Sequence, residues 1–181
     1  MNIIILFFVC LWLFSIVLLH FLKADFTPHN HTCSEYVIGK FGFIMNIAFY
    51  SMMIANILIA INFWSKNIIT SILFIVVAIG YLGLGVWKAD LTISDEKETK
   101  MGRCHLLAGF TSTVFTIVLT FVIASQNTCS ILWIFAICSL ISWLGFAATM
   151  NIKKPVIFGI SQRLFLLIIT IWTICITVSF V

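Results

Sequence analysis

The chain has 181 residues, is 62% hydrophobic and only 9% charged, and carries a formal net charge of +4. Soluble domains are usually about 25% charged, so a water-exposed globular fold is excluded, and so small a positive charge makes no case for nucleic-acid binding. The apolar runs are too long and too continuous for alternating barrel strands, which leaves membrane-spanning helices.

The first run, Ile3–Leu22, lacks a basic leader and a small-residue cleavage pattern and reads as a retained span rather than a signal peptide. In the segment that follows, Thr32-Cys33-Ser34-Glu35 fits a capping box, with Glu35 reaching back to the Thr32 amide. That spacing predicts a second helix beginning well before its apolar run, Phe41–Phe63. The link Trp64-Ser65-Lys66-Asn67 is short, and the third span is Ile68–Trp87. Thr92, Ser94, Asp95 and Glu96 have helix-start chemistry, so the fourth helix, with its apolar run His105–Ala124, is expected to reach back to about Ser94. After Ser125-Gln126-Asn127-Thr128 come Ile131–Met150 and, past Pro155 near a first helical turn, Val156–Val181. The fold class expected is all-α: a polytopic membrane protein with six transmembrane helices arranged as three helical hairpins, residues 1–181 forming one transmembrane domain.

Alternating spans put the odd and even links on opposite sides. Side A holds both ends of the chain and two nearly uncharged links, whose one cation is Lys66. Side B collects the other nine Lys and Arg residues, all six acids and all four histidines. Counting cations alone places the charged side B loops in the cytoplasm. None of the six cysteines forms a C-x-x-C pair, and Cys33 and Cys104, beside the side B polar groups, are expected as free thiols.

Steps of three and four draw a polar stripe down each even-numbered helix: Glu35, Gly39, Gly42, Asn46, Phe49, Met53, Asn56; then Gly102, His105, Gly109, Thr113, Thr116, Thr120; then Gly159, Arg163, Leu166, Thr170, Thr173, Thr177. Small and hydroxyl residues serve helix packing, and threonine can bond its own helix one turn back. The ionisable members carry more. Arg163 stands eight residues past Pro155, about 12 Å into the apolar layer, where a lipid-facing charge costs about 2–3 kcal/mol. If the stripes converge, Glu35, His105 and Arg163 meet near side B, with Asp90 and His20 at the rim. Arg163 would then hold an anionic head group or carboxylate, while Glu35 or Asp90 orients His105 for acid–base work. His20, Glu35, Asp90 and His105 supply metal-capable atoms without a known ligand spacing, and Arg163 disfavours a cation there, so neither a metal nor another cofactor is expected.

The segments Trp87-Lys88-Ala89-Asp90, Gly102-Arg103-Cys104-His105, Ser34-Glu35 and Gly159-Ile160-Ser161-Gln162-Arg163 resemble motifs of a family of uncharacterised six-helix prokaryotic membrane proteins, a domain of unknown function. In that family an acid follows the third helix, Gly-x-x-His opens the fourth and Gln-Arg lies in the sixth. The resemblance implies a six-helix bundle and adds Gln162 to the candidates, but implies no activity. Trp87-Lys88-Ala89 stands where relatives have a proline before the acid.

Three functions follow. The first is a polar pocket near one membrane face that binds or moves an amphiphile or small anion, with Arg163, Gln162, Asn46 and His20 as ligand-binding residues. The second is an intramembrane enzyme on a lipid-like substrate, with His105, Glu35 and Asp90 as the catalytic set. The third is a structural or assembly subunit whose polar residues only specify packing. Membrane lipids are the expected partners.

Overall fold

The computed structural model describes residues 1–91, 98–150 and 157–180. Six helices long and apolar enough to cross a membrane make up the fold: α1 (Asn2–Leu22), α2 (Gly42–Phe63), α3 (Ile68–Val86), α4 (Lys100–Ser125), α5 (Ser130–Met150) and α6 (Phe158–Ser179). They coincide closely with the apolar runs because each run is a stretch in which the backbone must bond within itself once water is excluded. Among the described residues there is no strand.

The helices form a ring in chain order. Each packs on its chain neighbours, and α6 returns to lie against α1. Side A turns close α2 on α3 and α4 on α5. The third pair, α1 and α6, is joined at side A by Asn2, whose Nδ2 donates to Thr177 O at 3.0 Å. Across the middle, Phe74 of α3 stacks on Trp172 of α6 with ring centroids 6.3 Å apart. Nearer side B, Trp12 of α1 meets Phe49 and Tyr81 at 6.2 and 5.8 Å. Leucine, isoleucine and phenylalanine cover the outer faces, as at Phe7, Ile79, Leu107 and Ile141, all exposed to the surrounding medium.

Helices α3 and α4 approach closely. A Cβ on Gly80 would lie 2.8 Å from Ser112 Cβ, and one on Gly83 would lie 2.7 Å from Ala108 Cβ. Small residues on both partners are what let two membrane helices come this near. The buried threonines of the stripes use their hydroxyls locally. Thr116, Thr170, Thr173 and Thr177 donate one turn back to their own helices, while Thr120 meets Ser139 of α5 at 3.2 Å.

Two helix starts differ from expectation. The capping box is formed: Thr32 N donates to Glu35 Oε2 at 2.7 Å, and Glu35 N to Thr32 Oγ1 at 3.3 Å. It caps a single 3₁₀ turn, Ser34–Val37, and not an extended α2. Gly39 and Phe41, at φ 75° and 67°, take left-handed conformations that break the helix before Gly42. Likewise α4 does not run back toward Ser94. It begins at Lys100, capped by Thr99, whose Oγ1 accepts from Gly102 N at 2.9 Å. The sequence cues at Thr92, Ser94, Asp95, Glu96 and Pro155 lie outside the described residues.

Candidate functional site

Among the described residues, the side B end carries two separate polar clusters. The first is a folded cap between α1 and α2, pinned to the start of α6. Gly159 N donates to His29 O at 2.9 Å, which uses one of the amides a helix start leaves free. A Cβ at Gly159 would collide with Pro28 O and His31 O, so only glycine lets the cap backbone lie directly on α6. One turn on, Arg163 reaches back along the same face. Its Nε donates to His20 Nε2 at 2.8 Å, Nη1 to Pro28 O, His31 O and Gly159 O at 2.8–2.9 Å, and Nη2 to the Tyr36 hydroxyl at 2.9 Å. The guanidinium also lies over the Tyr36 ring, 5.5 Å from its centroid. Gln162 Oε1 accepts from Cys33 N at 2.6 Å. Lys23, the residue after α1, is 7% exposed. Its ammonium donates to Tyr36 O at 2.9 Å and to Ile38 O.

Two cations, buried Lys23 and half-buried Arg163, therefore hold this cap by gathering backbone carbonyls. Burial pulls the Lys23 ammonium below its ordinary range, against the opposing charge of Asp25. Burial raises the Cys33 thiol to about 11 and the Tyr36 hydroxyl in the same direction, the Arg163 charge opposing both. Glu35 is 1% exposed, with His31 Nδ1 3.3 Å from its Oε2. Arg163 has five N–H groups, and the bonds above leave one Nη2 hydrogen unassigned. It is a strut of the cap and has little left with which to clamp an anion.

The second cluster joins α3 to α4. Asp90 takes Thr99 N on Oδ2 at 2.7 Å and Thr99 Oγ1 on Oδ1 at 2.9 Å. Its carboxylate lies where a Gly102 side chain would otherwise project, against the positive end of α4. Three residues on, His105 turns to the Trp87 carbonyl that ends α3, with Nδ1 2.7 Å from that oxygen. The ring is 5% exposed and meets Phe49 edge-on at 6.0 Å. The acid and the Gly-x-x-His motif are thus one joint: glycine makes room for the carboxylate, and histidine ties off the preceding helix. Asp90→Ala is expected to cost about 1 kcal/mol, the worth of a helix cap, and to speed amide exchange in the first turn of α4 while leaving α6 unchanged.

The candidates therefore sort into two groups. His20, Gln162, Arg163 and, through His31 and Thr32, Glu35 share the cap. Asp90 and His105 share the joint. Asn46 faces inward one turn before Phe49, with its Oδ1 buried and unmatched by any protein donor among the described residues. Sequence reasoning passed over Lys23, Tyr36 and Thr99. A lysine just past an apolar run looks like an ordinary snorkelling residue, and a loop tyrosine gives no periodic signal. Thr99, three residues before Gly102, had a legible N-cap signature. The concavities nearest side A are an open hollow of about 510 Å³ lined by Lys66, Asn67, Gln126 and Asn127 among others, and an apolar groove of about 300 Å³ between Trp64 and Ser71. Neither touches these clusters.

No curated protein and no solved structure matches the chain. The model of one family, described as protein of unknown function (DUF998), matches residues 8–179. With six spanning helices in place, and that match running over nearly its whole length, the chain belongs to the DUF998 family of integral, multi-pass membrane proteins.

Proposed function

We propose that this membrane protein binds an amphiphile whose head group enters at side B and meets His105 and Asn46. The observation that carries the reading is His105 Nε2. Trp87 O can only accept, so Nδ1 bears the proton and Nε2 presents a bare lone pair. That nitrogen is buried without a protein partner among the described residues, a condition costing about 1–3 kcal/mol unless something supplies a donor. Asn46 Oδ1 is in the same position. By helical rise Asn46 sits about 6 Å in from the start of α2 and His105 about 7.5 Å in from the start of α4. Phe49 links the two, lying one turn beyond Asn46 and against His105.

Two acceptors select a head group that donates, a hydroxyl or an amine, over a small anion. This moves the ligand contacts from Arg163, Gln162 and His20, which support the cap, to His105 and Asn46. Catalysis is less well supported, because His105 rests on a carbonyl rather than a carboxylate and both Asp90 oxygens are engaged by Thr99. By cation count we place side B in the cytoplasm, which labelling of a cysteine introduced at Lys40 in intact cells and in broken cells would check.

The test is native mass spectrometry with lipidomics on the wild type, His105→Ala and Asn46→Ala. The wild type is expected to carry a stoichiometric hydroxyl- or amine-headed adduct that both variants lose while still melting cooperatively. Identical profiles for all three would end the reading and leave a structural or assembly subunit. Conversion of the adduct to a released product would favour an enzyme instead.

A further inference from the structure

We infer that His20 and Arg163 form a proton-sensitive latch on the side B cap. The geometry fixes the hydrogens. Ile16 O, 2.7 Å from His20 Nδ1, can only accept, so Nδ1 carries a proton. Arg163 Nε can only donate, so His20 Nε2, 2.8 Å away, must be bare. The closed cap therefore requires neutral His20 in one tautomer. A proton added at Nε2 removes the acceptor and sets two cations edge to edge. Arg163 is the same group that binds Pro28 O, His31 O and the Tyr36 hydroxyl, so displacing it loosens the cap at several points together.

The charged and titratable surroundings come from each neighbouring element. Arg163 faces His20 from α6, and Tyr36 meets it edge-on at 5.2 Å from the 3₁₀ turn. Lys23, Asp25, His29, His31 and Glu35 stand on the cap itself. Of these, His29 and His31 give Arg163 no ring nitrogen. The His31 ring lies near Glu35, an acid that protonation would draw closer. His20 alone couples added charge to loss of an Arg163 bond. The latch goes beyond ligand binding and stands whether or not an amphiphile occupies the joint.

Cys33 provides the readout. It is 1% exposed, its amide is held by Gln162, and its thiol is raised to about 11 by burial, so it reacts only when the cap opens. Full-length protein with Cys33 as its single cysteine is treated with a dipyridyl disulfide, which stays reactive toward thiols in mild acid. Rates are normalised to a free thiol at the same pH. Between about pH 8 and about pH 5.5, across the range in which histidine titrates, the normalised rate is expected to rise by about tenfold. His20→Gln keeps one acceptor and one donor in every pH range and is expected to stay slow throughout. His20→Ala, without the acceptor, is expected to be fast at both values. A flat wild-type rate, an equal rise in His20→Gln, or a slow His20→Ala would each overturn the latch.

Discussion

Arg163→Ala is expected to lower stability by about 2–3 kcal/mol, the scale for losing charge-assisted hydrogen bonds from a half-buried network. The side chain bonds His20, Tyr36 and the carbonyls of Pro28, His31 and Gly159, and the first two of those carbonyls belong to cap backbone lying on α6. Removing it strands several acceptors together, so the losses couple and do not simply add. Arg163→Lys should recover less than half of the loss. An ammonium is a point charge with three donors and cannot span the planar fork that serves a ring nitrogen, a phenol and the carbonyls at once. Thermal melting in detergent measures both variants, and Cys33 labelling reports whether the cap is the part that fails. A melting curve within about 1 kcal/mol of wild type, ordinary for a surface change, would show that the guanidinium is not what holds the cap down.

Gly159→Ala should destabilise as well, by about 1–3 kcal/mol through overpacking, although helix propensity alone favours alanine by about 1 kcal/mol. The sign separates the two effects. The added methyl would press on Pro28 O and His31 O and lie 2.8 Å from Arg163 Nη1. Backbone oxygens cannot swing aside, so the cap must lift. Gly109→Ala is the internal control: its Cβ would meet nothing nearer than Leu84 Cδ2 at 3.4 Å, and propensity should win there. Melting curves of the pair, side by side, decide it. Equal behaviour would mean that the cap rests on α6 loosely enough to give way.

Hydropathy sufficed to read the six helices, since hydrocarbon gives the backbone no partner but itself. Helix starts were harder. The Thr32–Glu35 box is satisfied equally by one 3₁₀ turn or a long helix; the turn ends at extended Ile38, and left-handed Gly39 and Phe41 keep α2 from starting before Gly42. Phenylalanine carries no hint of that conformation. The stripe spacing correctly paired Gly159 with Arg163 and Gly102 with His105, because residues three and four apart share a face whatever the tertiary fold. It could not say which neighbour each face meets. Phe49 of α2 does meet His105 of α4, but Glu35 stands on the 3₁₀ turn before α2 and Arg163 turns to the cap, so the three ionisable groups do not converge. Arg163 was read as an anion anchor from depth and charge alone. Its bonds run to the cap of a segment about 130 positions earlier in the chain, a distance no local pattern spans.

Closure of the ring sets an order of events during synthesis. His20 and Arg163 are 143 positions apart, and Asn2 and Thr177 are 175 apart. Helices emerge from the ribosome in sequence, so α1 enters the bilayer long before the partner of its polar end exists. Until α6 inserts, the segment after α1 has neither the guanidinium nor the glycine seat on which it folds. Maturation is therefore expected to finish in one late step, and a nascent chain stopped after α5 should remain open to proteases at side B.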